Sequence, residues 1–438
     1  MSSSRNLSKV LLFGIDNVSS IAFGLLGSAF LARAFGPENL GRLSTVQATT
    51  ALLVFLTTLG LDHYWVRELH RDRRDGILIG SAQLAQWTGW LVHLGALLAF
   101  TWLQGNLQRD LLLVLAVAVT TFFTRTLFVA LYFSAIGNAR PIAISAVASR
   151  LLALGYLLWG FQQELAYEWM VMYLPLQAAI QGIYLAWQFW QVSGKALRYG
   201  LHWPRVGGLL REAAPILMAT ALFPIFAQAD VLVIAHFLGP HDVGIYAAAT
   251  RLLPQLLFLG HILAAAFFPA IIARHDAAAA DYRQYTLKVA RAIVALSLSA
   301  SISVALLAPI IIHLLYGEAF AASVPVLQIA CWGWVFILPA ALYARLLVLE
   351  GLGRIELIKT AVTSAISIAL NTWLIPRYGI LAAASVSIIS YFLTDLALYA
   401  VFRSTRPLFF IAVHALFDWF IHPWRSLRET RQLFSDQA

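Results

Sequence analysis

Apolar runs of about twenty residues, the length a helix needs to cross a bilayer, recur from one end of this chain to the other. This constrains the fold more than any other feature. Lipid offers the backbone no hydrogen-bond partner, so only helices and closed barrels can span it. Runs of this length without strict two-residue alternation are helical. Only 12% of the 438 residues are charged, against about a quarter in a soluble domain. The first run, Val10 to Leu31, ends in Leu31-Ala32-Arg33-Ala34, which looks like a signal-peptidase site. It is too long for a signal-peptide core and reads as a retained membrane helix. The lone Cys331 lies inside another run, which excludes an internal disulfide and a cysteine-held metal.

A repeat organises these runs. Phe35-Gly36-Pro37-Glu38-Asn39-Leu40-Gly41 returns as Leu238-Gly239-Pro240-His241-Asp242-Val243-Gly244, with Gly36, Pro37 and Gly41 falling on Gly239, Pro240 and Gly244 without a gap. Both copies sit between two apolar runs, as a turn closing the first helical hairpin of each half would. A second match, Ile136-Gly137-Asn138 against Leu352-Gly353-Arg354, has a larger offset and implies an insertion in the second half. The expected fold is an all-α polytopic membrane protein with two six-helix bundles related by internal repeat. Repeats of this kind build transporters, with the substrate path between the halves. Roughly twelve spans fit, at 10–33, 43–61, 77–103, 111–135, 142–161, 169–191, 213–238, 245–272, 289–315, 324–349, 357–376 and 380–402. The bundles become 1–192 and 213–403, joined by a cytoplasmic linker, 193–212. In the tail, 404–438, the apolar stretch Pro407 to Ile421 is too short to cross and reads as an interfacial helix, with His414 and Asp418 on a narrow polar stripe.

Basic residues sort onto one side. Arg5 and Lys9, the Arg67 to Arg74 group, Arg140, the linker, Arg274 to Arg291, Arg354 and Lys359, and the tail hold about 22 of the 30. Arg42, Arg109 and Arg377 fall on the other side. Basic loops resist translocation, so both termini are expected in the cytoplasm. Short basic loops with no base-reading domain also exclude nucleic acid as the reason for the +9 net charge. Trp65, Trp102, Trp169, Trp190, Trp373 and Trp419 fall near span ends, where an interfacial belt wants them. Ser20, Gly24, Ser28, Ala32 and Gly36 form a line of small residues along the first span, suited to close helix contact. Prolines crowd the second half (Pro215, Pro224, Pro254, Pro269, Pro309 and Pro339), which predicts bent seventh and eighth spans.

Charges inside the spans mark candidate function. Arg33 and Arg345 are near span ends, within snorkelling reach. Arg125, Arg150 and Arg251 are deeper, where each costs at least about 2.5 kcal/mol unless it faces a polar cavity. Carboxylates at depth are fewer: Asp16, Asp230 and Asp395. Asp230 falls where the first half has Gly27, and suits an arginine partner or a coupling proton. The arginine surplus predicts a cationic cavity for an anion, and guanidinium donors match phosphate oxygens in pairs.

The segments Leu31 to Gly41, Leu59-Gly60-Leu61-Asp62 with Arg67-Glu68, and Asp230 to Pro240 continuing to Gly244-Ile245-Tyr246 and Arg251 resemble Wzx-type polysaccharide flippases. These belong to the multidrug, oligosaccharidyl-lipid and polysaccharide exporter superfamily. The resemblance covers essentially the whole chain. It implies a protein of the bacterial inner membrane that moves an undecaprenyl-diphosphate-linked sugar unit to the periplasmic leaflet by alternating access. No cofactor is implied beyond a coupling proton or sodium ion. Its implied partners are the lipid-linked oligosaccharide, the bilayer, and the polysaccharide polymerase and glycosyltransferases of the same route. By this resemblance Arg251 carries over as a cavity cation and Arg67 as a basic residue at the cytoplasmic mouth. Arg125, Arg150 and Arg345 rest on depth alone. A multidrug cation antiporter of the same superfamily is the alternative, disfavoured by the arginine excess. A membrane polymerase or ligase would need larger outer loops.

Overall fold

The computed structural model describes residues 2–61, 76–127, 129–193, 203–277 and 280–435, all of them in helices and the turns between them. The helices run α1 (Ser2–Leu53), α2 (Phe55–Thr58), α3 (Gly76–Leu103), α4 (Leu107–Thr121), α5 (Val129–Ala135), α6 (Arg140–Gln162), α7 (Tyr167–Met170), α8 (Tyr173–Ser193) and α9 (Trp203–Phe237). The order continues with α10 (Pro240–Thr250), α11 (Leu257–Asp276), α12 (Tyr282–Tyr316), α13 (Ser323–Ala330), α14 (Trp334–Leu349), α15 (Gly353–Tyr378), α16 (Ile380–Phe392), α17 (Leu398–Val401), α18 (Arg406–Ile421) and α19 (Pro423–Ser435). Eight described stretches are long and apolar enough to cross a membrane. One of them, Ser19–Leu53, takes in parts of both the first and the second expected span, with α1 breaking between them at Gly36. The expected third, sixth and seventh spans lie in α3, α8 and α9, each long enough to cross. The chain is a multi-pass, all-α membrane protein.

It divides into two compact units, Met1–Gln228 and Ala229–Ala438, with the division inside α9. The two units repeat each other's turns. Gly36 and Gly239 hold the same backbone conformation, φ 77 and ψ −179 against φ 91 and ψ 179, a region essentially reserved for glycine. Proline then starts the next helix, where its missing N–H is no loss. Further along, residues with positive φ pair in the same order: Gly105 with Gly317, Gly137 with Gly351, and Glu164 with Gly379, of which Gly317 (ψ −176) and Gly379 (ψ −157) are extended. Around Gly137 and Gly351 the hydrogen bonds match as well. Asn138 N–H reaches Phe133 O at 2.9 Å, and Leu352 N–H reaches Leu347 O at 2.7 Å. The expected pairing of Gly137 with Gly353 is therefore two residues out of register. Gly353 starts α15 in helical conformation, and Gly351 makes the turn.

In the first unit, Leu31, Leu43, Leu97, Leu113, Val114, Leu157 and Met170 form the core. Of the small residues along the first span, Ser28 and Ala32 are buried while Ser20 and Gly24 are exposed. The tight contact falls instead at Gly27, whose Cα faces the Tyr173 ring closely. Arg42, buried just after the Gly-Pro turn, donates to Asp110 at 2.7 Å, to Asn39 at 2.9 Å and to Glu168 at 3.4 Å. It thereby fastens α1 to α4 and α7.

In the second unit the core gathers Phe267, Ile271, Ile293, Trp334, Leu342, Leu346, Tyr399 and Ala415. The tail helix α18 packs along α12 through Leu408, Ala412 and Ala415, leaving Phe410, Phe417 and Phe420 exposed. Arg291 of α12, counted as a loop cation from sequence, is buried and ion-pairs with Asp418 of α18 and Glu429 of α19. Trp419 is drawn into the same junction, its indole donating to Arg291 O at 3.0 Å, and so leaves the aromatic belt expected for it. Trp102, Trp169, Trp190 and Trp373 are more than half exposed near helix ends, as a belt requires. Trp65 lies outside the described residues.

Candidate functional site

The five arginines expected within spans sit on separate elements, three in the first unit and two in the second. Arg150 of α6 is 7% exposed and donates to the Ser19 hydroxyl of α1. Its sequence neighbours Leu151 and Leu152 are more than half exposed, so α6 turns an apolar face outward and its arginine inward. Arg125 lies in a π-helical turn, Phe122–Thr126, and is exposed. The chain then extends at Leu127, φ −87 and ψ 104, before α5 begins. Thr121, Thr124 and Thr126 bond back to carbonyls four residues earlier, which takes up backbone acceptors around the break. Arg33 is exposed on α1. Arg67 and Asp62 lie outside the described residues, as does the side chain of Asp16.

In the second unit Arg251 follows α10, where the eighth span breaks into a 3-10 turn, Leu253–Leu256, containing Pro254. Proline cannot donate, and the tighter turn sends Leu257 N–H to Pro254 O, so Leu253 O loses its helical partner. Trp334 donates to Leu253 O at 2.9 Å, and the Gln255 amide donates to Arg251 O at 3.1 Å. The bend expected from Pro254 is thus held open by side chains rather than left unsatisfied. Pro269, Pro309 and Pro339 remain inside continuous helices. Arg345, half-buried on α14, donates to Ala341 O at 2.8 Å and lines an open groove of about 470 Å³ with His261, Phe268 and Val348.

Asp230 of α9 accepts from the buried Tyr246 hydroxyl of α10 and from Val231 N–H. Tyr246 also lies 3.5 Å from the Ser387 hydroxyl of α16. A second buried charge group is nearby in the same unit. Lys359 of α15 is fully buried, bonds Glu356 at 2.9 Å and stands 3.9 Å over the Tyr399 ring. It interacts electrostatically with Asp395, buried on the π-helical turn Leu393–Ala397. Tyr391 interacts with both Asp230 and Asp395.

Two polar stripes build this region. One is Lys359, Thr363, Ser367 and Asn371 along the buried face of α15; the other is Ser387, Tyr391 and Asp395 along α16 and its π turn. Both have the four-residue spacing that aligns side chains on one helix face. The spacing is readable in the sequence, where the charge asymmetry nonetheless groups Lys359 with the cytoplasmic loop cations. Among the described residues no three His, Cys, Asp or Glu side chains converge as metal ligands.

Comparison with known proteins gives this architecture a place. No curated protein matches the chain in sequence. Among solved structures, the lipid II flippase MurJ in an inward-closed conformation superposes with a TM-score of 0.69 at 13% identity, covering 97% of this chain and 96% of its own. An inward-facing multidrug-resistance MATE transporter of the MOP superfamily gives 0.62 at 12% identity, over 98% of this chain and 100% of that one. A MOP superfamily transporter from Pyrococcus furiosus, whose description notes a reversed polarity of its binding pocket, gives 0.54 at 12% identity, over 98% and 95%. Identities this low speak for a shared fold. The polysaccharide biosynthesis protein family matches residues 7–275, well over half of the chain. The chain belongs to that family, and its helices take the two-lobed fold of MOP transporters.

Proposed function

We propose that this chain is a flippase for a lipid-diphosphate-linked oligosaccharide. It carries an undecaprenyl-diphosphate-linked repeat unit from the cytoplasmic to the periplasmic leaflet of a bacterial inner membrane, with both termini cytoplasmic. The observation that carries this reading is the set of arginines within the spans, Arg125, Arg150, Arg251 and Arg345, in a member of a polysaccharide biosynthesis family. Guanidinium groups kept within spans face a polar cavity or a partner, and a diphosphate offers paired oxygens to their paired donors. The likeness to a structure described as a lipid II flippase is consistent with a polyprenyl-diphosphate cargo. Transport needs only to shelter the head group, since the tail is at home in lipid. Alternating access of the two halves would do this, driven by a proton or sodium gradient, with Asp230 and Asp16 as candidate coupling residues.

Charge reversal tests the cationic path. Arg150→Glu and Arg251→Glu should each abolish surface polysaccharide at normal protein level, with the lipid-linked unit accumulating on the inner leaflet. Arg→Lys should be milder, because it keeps the charge and loses the paired donors. Intact polysaccharide in both reversals would remove the arginines from the path. Sensitivity to cationic dyes on deletion, with unaltered glycan, would favour the multidrug antiporter.

A further inference from the structure

Where the tail begins, the second unit has a cavity of about 200 Å³ among the start of α12, the end of α14 and the start of α18. It shares no lining residue with the groove of Arg345. Two opposite charges line it, Arg283 on the first turn of α12 and Glu350 at the end of α14, and both side chains are exposed to an entering ligand. They form no ion pair with each other or with another described residue. Asp281, two residues before Arg283, is held by Arg274 at 3.1 Å. The Glu350 carboxylate accepts from the Tyr282 hydroxyl at 3.4 Å, through Oε1.

Both charges stand at the wrong end of a helix. The first turn is the positive end of a helix dipole and the last turn the negative end. Arg283 is therefore opposed by α12, and Glu350 by α14. Two unpaired charges in one cavity, each opposed by its own helix, are matched by a ligand that carries an anion and a cation together.

The remaining lining narrows the chemistry. Leu346, Leu347, Leu408 and Ile411 supply an apolar wall. Ser404 and the first turn of α18, whose N–H groups have no helical acceptor, add donors. The volume is far above the roughly 10–15 Å³ that one water needs and below the roughly 300 Å³ at which sites for drug-sized ligands begin. Ser323–Leu349, an apolar stretch long enough to cross a membrane, ends directly before Glu350. The cavity thus lies where hydrocarbon gives way to headgroups.

We propose that it holds a phosphodiester joined to a primary amine, the headgroup of phosphatidylethanolamine. The Arg283 guanidinium takes the phosphate, its paired donors meeting paired oxygens. The ammonium, with three N–H donors, goes to Oε2 of Glu350, which Tyr282 leaves open. The acyl chains continue over the leucine wall into the bilayer. Glu350 disfavours an anionic headgroup, and a quaternary choline has no N–H to give it. Arg291 holds the far end of α18 through Asp418; the lipid holds the near end. The site is independent of the cargo proposed above.

Native mass spectrometry of the full chain, purified from bilayers with equal phosphatidylethanolamine, phosphatidylcholine and phosphatidylglycerol, reads the preference directly. Wild type should retain the ethanolamine lipid at least about tenfold over either other, the effect of one charge-assisted hydrogen bond. Glu350→Gln should bring the ethanolamine and choline lipids level, and Arg283→Gln should weaken retention of all three. Unfolding temperatures of both variants in phosphatidylcholine alone should match wild type, since neither change touches the core. Soluble phosphoethanolamine should fail to displace the bound lipid at concentrations where short-chain phosphatidylethanolamine succeeds; equal displacement would assign the cavity to a soluble ligand and overturn the lipid. Equal retention of ethanolamine and choline lipids by wild type overturns the proposal without recourse to any variant, as does an undiminished preference in Glu350→Gln.

Discussion

Each unit contains one buried arginine that grips two carboxylates, and the two grips fasten different things. In the first unit Arg42 joins Asp110 and Glu168 and closes the hairpin beside the Gly-Pro turn. In the second Arg291 joins Asp418 and Glu429 and docks the C-terminal helices onto α12. Neither is the repeat equivalent of the other: the residue matching Arg42 across the Gly-Pro repeat is Ile245, whose carbonyl accepts from Ser323 at 2.7 Å. Four positive-φ turns recur in order through both halves, one of them with Glu164 where the other half has a glycine, while the interior polar groups do not. Turn geometry that only glycine tolerates resists change after duplication, and side chains are free to take on separate tasks.

The largest expected effect distinguishes the two grips. Removing one partner of a buried ion pair costs roughly 3–5 kcal/mol because a charge is left stranded. Arg291→Ala should fall at the upper end, since the Asp418 and Glu429 side chains are each 14% exposed. Arg42→Ala should cost less, because the Glu168 side chain is 31% exposed and can be hydrated. Thermal unfolding in detergent gives the order, and limited proteolysis should show the tail from Arg406 onward released only in Arg291→Ala. Tail release in neither variant would mean that Leu408, Ala412 and Ala415 dock α18 without the clamp.

Next in size are the paired turns. Gly36→Ala and Gly239→Ala should each destabilise by about 1–3 kcal/mol, by similar amounts, since both force a side chain into the same glycine-only conformation. Unequal penalties, read from the same unfolding measurements, would show that the two turns are alike in shape and unlike in strain. The smallest effect runs the other way. Glu164 holds φ 52 where its counterpart is Gly379, and a left-handed non-glycine residue costs roughly 1–2 kcal/mol. Glu164→Gly should therefore raise the unfolding temperature slightly; a fall would mean that the Glu164 side chain has a role the turn comparison misses.

Much of this was legible in the sequence. Span length fixed the all-α membrane class, and Gly-Pro with its trailing glycine revealed the duplication, because both report directly on backbone needs. The second repeat match went astray between Gly351 and Gly353 because only one of them is left-handed, and sequence does not display φ. Assigning cations to loops by charge asymmetry misplaced Arg291 and Lys359, which are buried on the third turn of α12 and the second turn of α15 with carboxylates for company. The likelier partner expected for Asp230 was an arginine; the tyrosine that engages it sits sixteen residues away, within the motif Gly244-Ile245-Tyr246, and charge counting passes over it. Arg150 needed no structure to be noticed, and burial adds that it faces α1 through Ser19.

The central claim is that the interior arginines guide a diphosphate across the membrane. The most direct measurement is movement of a lipid-diphosphate sugar between leaflets of proteoliposomes containing the purified chain, read by its accessibility to an added, membrane-impermeant enzyme. Wild type should move it, and Arg251→Glu should slow it at least tenfold, as loss of a charge-assisted hydrogen bond worth roughly 1.5–3 kcal/mol requires. Movement by Arg251→Glu at the wild-type rate would contradict the account.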